Sequence, residues 1–338
     1  MIAACLRVSL SKKPVPDLDF HPSTRDRELD RAAAESLQAN RIDPKLLYVT
    51  SHQTQLWRRV FLRHSPLHAN PGFARIYPDA FARIMDHLPP GKVFLVGLGC
   101  GTGAKELQLQ AALRDRGHDT LFAAIDVSRD LVIESAEKLI AAGAEHRRSL
   151  VCDLAQSDFI GEWLNRLEAG LPRLITFFGL VPNLDPSVAA RLFRSILRPG
   201  DMLLVNAHLA PVNRETGGDL PAAMQAVLPQ YDNAETRAWL AAALEYLGLE
   251  NRVDPPEIKA GQVETVPAFL ATARWKIEAS FEKGGRRFSP HSDPLRLFHS
   301  LRYTPALFEK ALDREGLRAR LLSITPCRQE AIWSVQNP

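Results

Sequence analysis

Apolar positions in the middle third of this chain fall into short continuous blocks: Val93-Phe-Leu-Val, Phe122-Ala-Ala-Ile, Ser149-Leu-Val-Cys and Leu174-Ile-Thr-Phe-Phe, each closed by a glycine or an acid. Runs of that length, apolar throughout and bounded by turn residues, are the pattern of strands buried on both faces. Helical spacing intervenes, with helices expected over Tyr77 to Leu88, after Gly103, and over Asp130 to Ile140. A further helix is expected in Pro-Ser-Val-Ala-Ala-Arg-Leu-Phe-Arg-Ser-Ile-Leu, capped by Asp185, opened by Pro186 and stopped at Arg198-Pro-Gly200. Asp201-Met-Leu-Leu-Val-Asn-Ala is a fifth strand, and the alternation of strands with helices predicts a parallel, doubly wound α/β sheet.

The flanks follow a different rhythm. Pro14, Pro16 and Pro22 make the start irregular, and helical patterns follow over Arg25 to Asn40 and from Ser51. From Pro211 to about Pro294 the alternation lapses: two Ala-rich helical stretches precede strands expected near Ala271–Glu278 and Ser280–Phe288. The end of the chain resumes with a helix capped by Thr304 with Pro305 at its first position, then strands over Ala319–Ile324 and Ala331–Val335 that suit a closing antiparallel pair. The expected organisation is a nucleotide-binding domain of residues 77–210 plus 296–338, and a substrate or lid lobe of residues 1–76 plus 211–295.

The chemistry concentrates where the first strand breaks into Gly97-Leu-Gly99-Cys-Gly101-Thr-Gly103-Ala-Lys105. Glycines at a strand-to-helix turn let a nucleotide-like ligand approach the backbone. Gly99, Gly101 and Ala104 also satisfy the dinucleotide fingerprint, so a nicotinamide-dependent oxidoreductase competes at this point. The residues that follow favour S-adenosylmethionine. Asp126 ends the second strand, where a carboxylate accepts ribose hydroxyls, and Asp153 ends the third, within reach of an adenine amine. Gly179 and Asn183 occupy the loop after the fourth strand. A glycine-rich turn, two acids and a polar loop in that order give the layout of a class I methyltransferase with a Rossmann-like sheet.

Composition narrows the setting. The 338 residues are 46% hydrophobic and 24% charged, enough for a large core, and the net charge of +3 is dispersed in doublets such as Arg58-Arg59 and Arg286-Arg287. That distribution argues against a nucleic-acid partner. No apolar run reaches membrane-spanning length, and four cysteines without a C-x-x-C pair fit a reducing cytoplasm with neither disulfides nor a thiolate metal site. His64 and His68 enclose Pro66, which argues against a helical metal-binding face, so no metal is expected. The expected protein is cytoplasmic, a monomer or weak homodimer.

From about Leu47 onward the chain resembles the histidine Nα-methyltransferases of ergothioneine biosynthesis and their relatives, which make amino-acid betaines from S-adenosylmethionine. The likeness is carried by Lys105 after the glycines, by Leu107, Leu109 and Leu113, by Asp126-Val-Ser, and by Asp153. On the acceptor side it rests on Phe178-Gly179 with Asn183-Leu-Asp-Pro, on Tyr231-Asp-Asn, and on Ser300-Leu-Arg-Tyr-Thr. The resemblance implies that Gly97, Gly99, Gly101, Lys105, Asp126 and Asp153 hold the cofactor, and that Gly179, Asn183, Tyr231, Phe298 and Ser300 hold the acceptor, with Asn183 and Tyr231 nearest the chemistry.

Two departures bear on the acceptor. Phe298 stands where the histidine enzymes place a glutamate that pairs with imidazole, and Ser65-Pro-Leu-His-Ala-Asn-Pro replaces the family's Tyr-Tyr-Pro segment, so a tyrosine expected near the methionine carboxylate is missing. A phenylalanine leaves an imidazole without its polar partner and favours a larger or less polar side chain. The expectation is therefore an S-adenosylmethionine-dependent N-methyltransferase for the amine of a small amino-acid-like molecule other than histidine, an aromatic amino acid among the options. The alternatives are a catalytically silent binding module of the same fold and the nicotinamide-dependent oxidoreductase, against which Asp153 and Asn183 speak.

Overall fold

The computed structural model describes residues 16–65, 71–211, 218–276, 279–283 and 285–338. In chain order the strands are β1 (Leu18–Phe20), β2 (Val93–Leu98), β3 (Thr120–Asp126), β4 (Glu145–His146), β5 (Ser149–Val151), β6 (Arg173–Phe177), β7 (Met202–His208), β8 (Glu257–Val263), β9 (Val266–Ala273), β10 (Phe281–Lys283), β11 (Arg286–Phe288), β12 (Leu295–Leu301), β13 (Arg318–Ile324) and β14 (Glu330–Gln336). The helices are α1 (Asp26–Gln38), α2 (Ser51–His64), α3 (Pro71–Met85), α4 (Ala104–Asp115), α5 (Arg129–Ala141), α6 (Ser157–Leu167), α7 (Pro186–Ile196), α8 (Leu220–Val227), α9 (Ala234–Tyr246) and α10 (Pro305–Arg314).

The large sheet runs β1-β5-β3-β2-β6-β7-β14-β13, with β4 beside β3. Its strands from β1 to β7 are parallel, while β14 lies antiparallel to both β7 and β13. Every residue of β2, β3 and β6 is buried, as continuous apolar runs require when helices cover both faces. One core cluster joins this sheet to α6, α7 and α10, and the other joins it to α3, α4 and α5. This is the class I methyltransferase architecture, with the expected antiparallel closing pair.

A second layer sits at the carboxyl end of the sheet. There β8, β9 and β12 form a three-stranded antiparallel sheet, packed with α1, α2 and α9 into a separate core that includes Leu46, Trp239, Leu240 and Leu297. Two strands depart from the sequence-based division. β1 belongs to the large sheet, where its three residues pair with β5, and so stands outside the lobe expected over 1–76. β12 pairs with β9 in the lobe, so the boundary at 296 falls inside a lobe strand. Strand β8 also lacked a signal, because Glu257-Ile-Lys-Ala-Gly-Gln-Val has one buried residue and little apolar alternation.

The exit of β12 ties the two layers together. The Tyr303 N–H donates to the His208 carbonyl at 2.9 Å, and the Ala210 N–H donates to the Tyr303 carbonyl at 2.8 Å. The Tyr303 hydroxyl donates to the carbonyls of Leu184 at 2.6 Å and Val181 at 3.2 Å. The lobe strand is thereby fixed against the end of β7 and against the short 3-10 turn Val181–Asn183 that follows β6.

Candidate active site

Between the two layers lies a cavity of about 400 Å³, within the range of small-molecule sites. Its floor is the glycine turn. Gly99, Gly101 and Gly103 have φ of +65°, +51° and +69°, the left-handed region that penalises side chains. At Gly99 a Cβ would also lie 2.0 Å from Cδ1 of Leu180. Gly97 stands apart from its neighbours: it lies in β2 outside the cavity lining, where a Cβ would come within 3.0 Å of the Cys100 Cβ and 3.3 Å of the Glu106 Cγ. Its place is in seating α4 on the strand.

Asp126, at the end of β3, is 8% exposed. Its Oδ1 accepts the Ser128 N–H at 2.9 Å and its Oδ2 the Gly101 N–H at 3.1 Å. Burial pushes its carboxyl up to about 6, against the opposing pull of those backbone donors. Each oxygen retains a lone pair for a ribose hydroxyl. Asp153 also lines the cavity, but it meets a partner the sequence did not indicate: Lys45 Nζ lies 2.9 Å from its Oδ2. Burial opposes the Lys45 charge, yet Asp153 and then Asp43 outweigh it and hold the ammonium above its usual range.

At the opposite end Lys105, on the first turn of α4, places its ammonium 4.8 Å from the ring centre of Tyr77 and 5.4 Å from that of Phe178. Burial lowers its proton affinity, while Glu330 and Glu106 oppose the shift. The Tyr77 hydroxyl donates to Glu330 Oε1 at 2.5 Å, and Asn206 Nδ2 donates to the same oxygen at 2.6 Å. Asn206 Oδ1 in turn accepts the Gly179 N–H at 2.6 Å. Residues 66–70, most of the segment that stands in place of the family's Tyr-Tyr-Pro, lie outside the described residues. A tyrosine does line this end of the cavity, but it is Tyr77, supplied by α3.

The acceptor-side residues also converge. Tyr231, whose ring stacks on Phe269 at 4.4 Å, brings its hydroxyl to 3.0 Å from Ser300 Oγ, 3.2 Å from His208 Nδ1, and 2.9 Å from the Arg302 guanidinium, which donates to it. Asn183 lines the cavity and makes no side-chain hydrogen bond among the described residues, while the cap of α7 is provided by Asp185. Phe298 meets Trp239 edge-on at 5.6 Å, Trp239 meets Tyr48 at 5.5 Å, Tyr48 meets Trp57 at 6.0 Å, and Trp57 stacks on Phe61 at 5.5 Å. These five rings, from α2, α9, β12 and the segment before α2, form one continuous aromatic wall of the cavity. Of them the sequence indicated only Phe298. Lys45, Tyr77, His208 and Glu330 were missed as well, because no local motif marks them, and Arg302 lies within Ser300-Leu-Arg-Tyr-Thr without having been given a role.

The donor set fits S-adenosylmethionine. Asp126 suits the ribose, and Asp153 with Lys45 suits the adenine end. Lys105 with Glu330 offers one cation and one anion, as the methionine zwitterion requires. When bound, that cofactor supplies an activated methyl group on sulfur.

Residues 74–239 match the family of histidine-specific, S-adenosylmethionine-dependent methyltransferases. No curated protein matches the sequence. Among solved structures, the chain is similar to N,N-8-amino-8-demethyl-D-riboflavin dimethyltransferase from Streptomyces davawensis at 12% identity, over 92% of this chain and 69% of that one, with a TM-score of 0.38. A cyclopropane synthase from Mycobacterium tuberculosis is 16% identical over 85% of this chain and 77% of its own, with a TM-score of 0.37. An enzyme described as catalysing a pericyclic reaction is 10% identical over 74% of this chain, which spans 44% of its length, with a TM-score of 0.38. Likeness at this level leaves the acceptor open. Residues 74–239 thus carry the match to an S-adenosylmethionine-dependent methyltransferase family, on a sheet with the strand order of that class.

Proposed function

We propose that the protein transfers methyl groups from S-adenosylmethionine to the amine of an amino-acid-like acceptor whose side chain is aromatic or large and apolar, and that histidine is not its preferred substrate. The observation that carries this reading is the aromatic wall Phe298–Trp239–Tyr48–Trp57–Phe61 facing the polar cluster of Tyr231, Ser300 and Asn183. An aromatic side chain gains from ring contacts and water exclusion along such a wall. An imidazole meets no carboxylate at Phe298 and loses its hydrogen bond on entry.

The polar end supports an anionic acceptor group. Arg302 is 2% exposed, forms no ion pair among the described residues, and has a buried Nε without a partner. A buried cation without a counterion is costly, and a carboxylate delivered by the ligand relieves it. Arg302 reaches the cavity through the Tyr231 hydroxyl, which leaves Tyr231 and Ser300 to orient the carboxylate and Asn183 to orient the nitrogen. The chain's contribution to rate is then to hold the nitrogen against the methyl carbon and to exclude water.

The test is transfer of isotopically labelled methyl from S-adenosylmethionine to a panel of amino acids and simple amines, with the label located by nuclear magnetic resonance. Label on the nitrogen of an aromatic or large apolar amino acid is the expected result. Label only on oxygen, sulfur or carbon nucleophiles, or histidine as the best acceptor, overturns the reading.

A further inference from the structure

Methylation of an amine requires a proton acceptor: an ammonium has no lone pair, so a proton must leave before the carbon–nitrogen bond forms. His208 is placed for that task. It is the last residue of β7, at the carboxyl edge of the sheet, and it lines the cavity between the glycine turn and the lobe. Its Nδ1 is engaged by the Tyr231 hydroxyl at 3.2 Å, while its Nε2 makes no hydrogen bond among the described residues. The main chain and the ring are each held, because the His208 carbonyl accepts the Tyr303 N–H and Tyr231, which meets Nδ1, is itself fixed by Ser300 and Arg302.

We propose that His208 is the base of the transfer, with Nε2 taking a proton from the acceptor ammonium. This rests on the amine reading given above. One N–H bond of the ammonium breaks and an Nε2–H bond forms; the electron pair stays on nitrogen and bonds the methyl carbon while the carbon–sulfur pair leaves on sulfur. The imidazolium then releases its proton to solvent as the products depart.

The charged surroundings suit a base that waits for its substrate. Arg302, at the exit of β12, and Lys105, on α4, are the cations acting on His208; burial first, and then these two, hold its imidazole well below the usual histidine range. Glu330 is its cross-strand neighbour on β14, with Oε1 held by Tyr77 and Asn206 and the other oxygen left for the cofactor's ammonium. Tyr231 from the lobe completes the ring of titratable groups around it. The imidazole is therefore neutral, and able to accept a proton, in the free enzyme. An acceptor carboxylate arriving near Arg302 offsets that cation and raises the proton affinity of His208 at the moment the ammonium is presented.

The experiment compares the wild-type protein with His208→Asn and His208→Gln, which retain a polar group but cannot take the proton. Binding of S-adenosylhomocysteine by calorimetry serves as the control for folding. With the accepted amino acid, kcat is expected to fall by about 100-fold or more in both variants near neutral pH, and the acidic limb of the pH profile is expected to move up to the range in which the acceptor's own amine loses its proton. With the hydroxylamine analogue of that acceptor, whose nitrogen is largely uncharged at neutral pH, the variants are expected to stay within about threefold of wild type. Variants whose acidic limb stays where the wild-type protein has it, and which lose less than about threefold with the amine, overturn the proposal and leave the amine reading intact. Variants that lose as much with the uncharged analogue overturn it also, since His208 then only positions the acceptor. Silence of the wild-type protein towards every amine overturns both, and is distinguished by arising before any substitution.

Discussion

The hydroxyl of Tyr231 lies 3.0 Å from Oγ of Ser300, joining residues 69 positions apart from the inserted segment and the returning strand β12. Both face the cavity, and the same hydroxyl receives a hydrogen bond from the buried Arg302. Loss of that one oxygen should disconnect Arg302 from the acceptor while leaving the glycine turn untouched. Tyr231→Phe is expected to lower kcat/KM for the acceptor by about 10- to 100-fold, the worth of a hydrogen bond in a charged network, with S-adenosylhomocysteine affinity unchanged. Steady-state kinetics together with calorimetry check both halves; a parallel loss of cofactor binding would show that Tyr231 supports the fold instead.

Gly99→Ala probes the cofactor floor. The positive φ penalises any side chain by about 1 kcal/mol or more, and the new methyl group meets Leu180, the residue that leads into the Val181–Asn183 turn. A melting temperature lowered by a few degrees is expected, with S-adenosylhomocysteine bound at least about tenfold more weakly because Leu180 must move into the cavity. Thermal denaturation with and without ligand measures both, and unchanged ligand affinity would show that the turn does not touch the cofactor.

Asp126 makes cofactor binding depend on pH. Its folded-state carboxyl is raised to about 6, above its value of 3.8 in an unfolded chain, so the folded protein retains a proton that the unfolded chain has lost between those limits. Its contribution to stability is present in full below 3.8 and fades as pH rises through about 6, a change on the order of 3 kcal/mol. Ribose hydroxyls donate best to the ionised form. S-adenosylhomocysteine affinity should therefore climb with pH through about 6 and then level off, and Asp126→Asn should flatten that slope. Calorimetric titrations at pH 5, 6, 7 and 8 read it directly, those pH values bracketing the value of about 6.

Phe298 sets the side-chain preference in this account. The bulge between Arg296 and Phe298 in β12 shifts its register, and the ring reaches Trp239 at the cavity wall. Phe298→Ala removes part of that wall and is expected to lower kcat/KM for an aromatic acceptor by about 10- to 100-fold. Phe298→Glu introduces the missing partner for imidazole and is expected to raise the ratio of histidine to phenylalanine turnover in competition by at least about tenfold. A ratio unmoved by either substitution would take Phe298 out of the acceptor pocket.

What the sequence revealed and what it hid follow from how local each signal is. The strands β2, β3 and β6 are buried on both faces, so their apolar runs were plain, and Asp126 and Asp153 could be placed because each ends such a run or follows it directly. The caps by Asp185 and Thr304 were equally legible, being short-range pairings of a side chain with the first turn of its own helix. Tyr77 and Glu330, by contrast, are 253 residues apart, and Lys45 is 108 residues from Asp153. Only the folded sheet brings such pairs together. His208 carries no motif; its neighbours Arg302 and Tyr231 are what make it distinctive.

In the proposed complex the cavity holds S-adenosylmethionine with its sulfur directed at the acceptor cluster. A crystal structure with S-adenosylhomocysteine bound tests it most directly. The expected complex has ribose hydroxyls on Asp126, the amino-acid end between Lys105 and Glu330, and the sulfur opening towards Asn183, His208 and Tyr231. A ligand whose sulfur faces protein backbone or bulk solvent, with the aromatic wall beyond its reach, would contradict it.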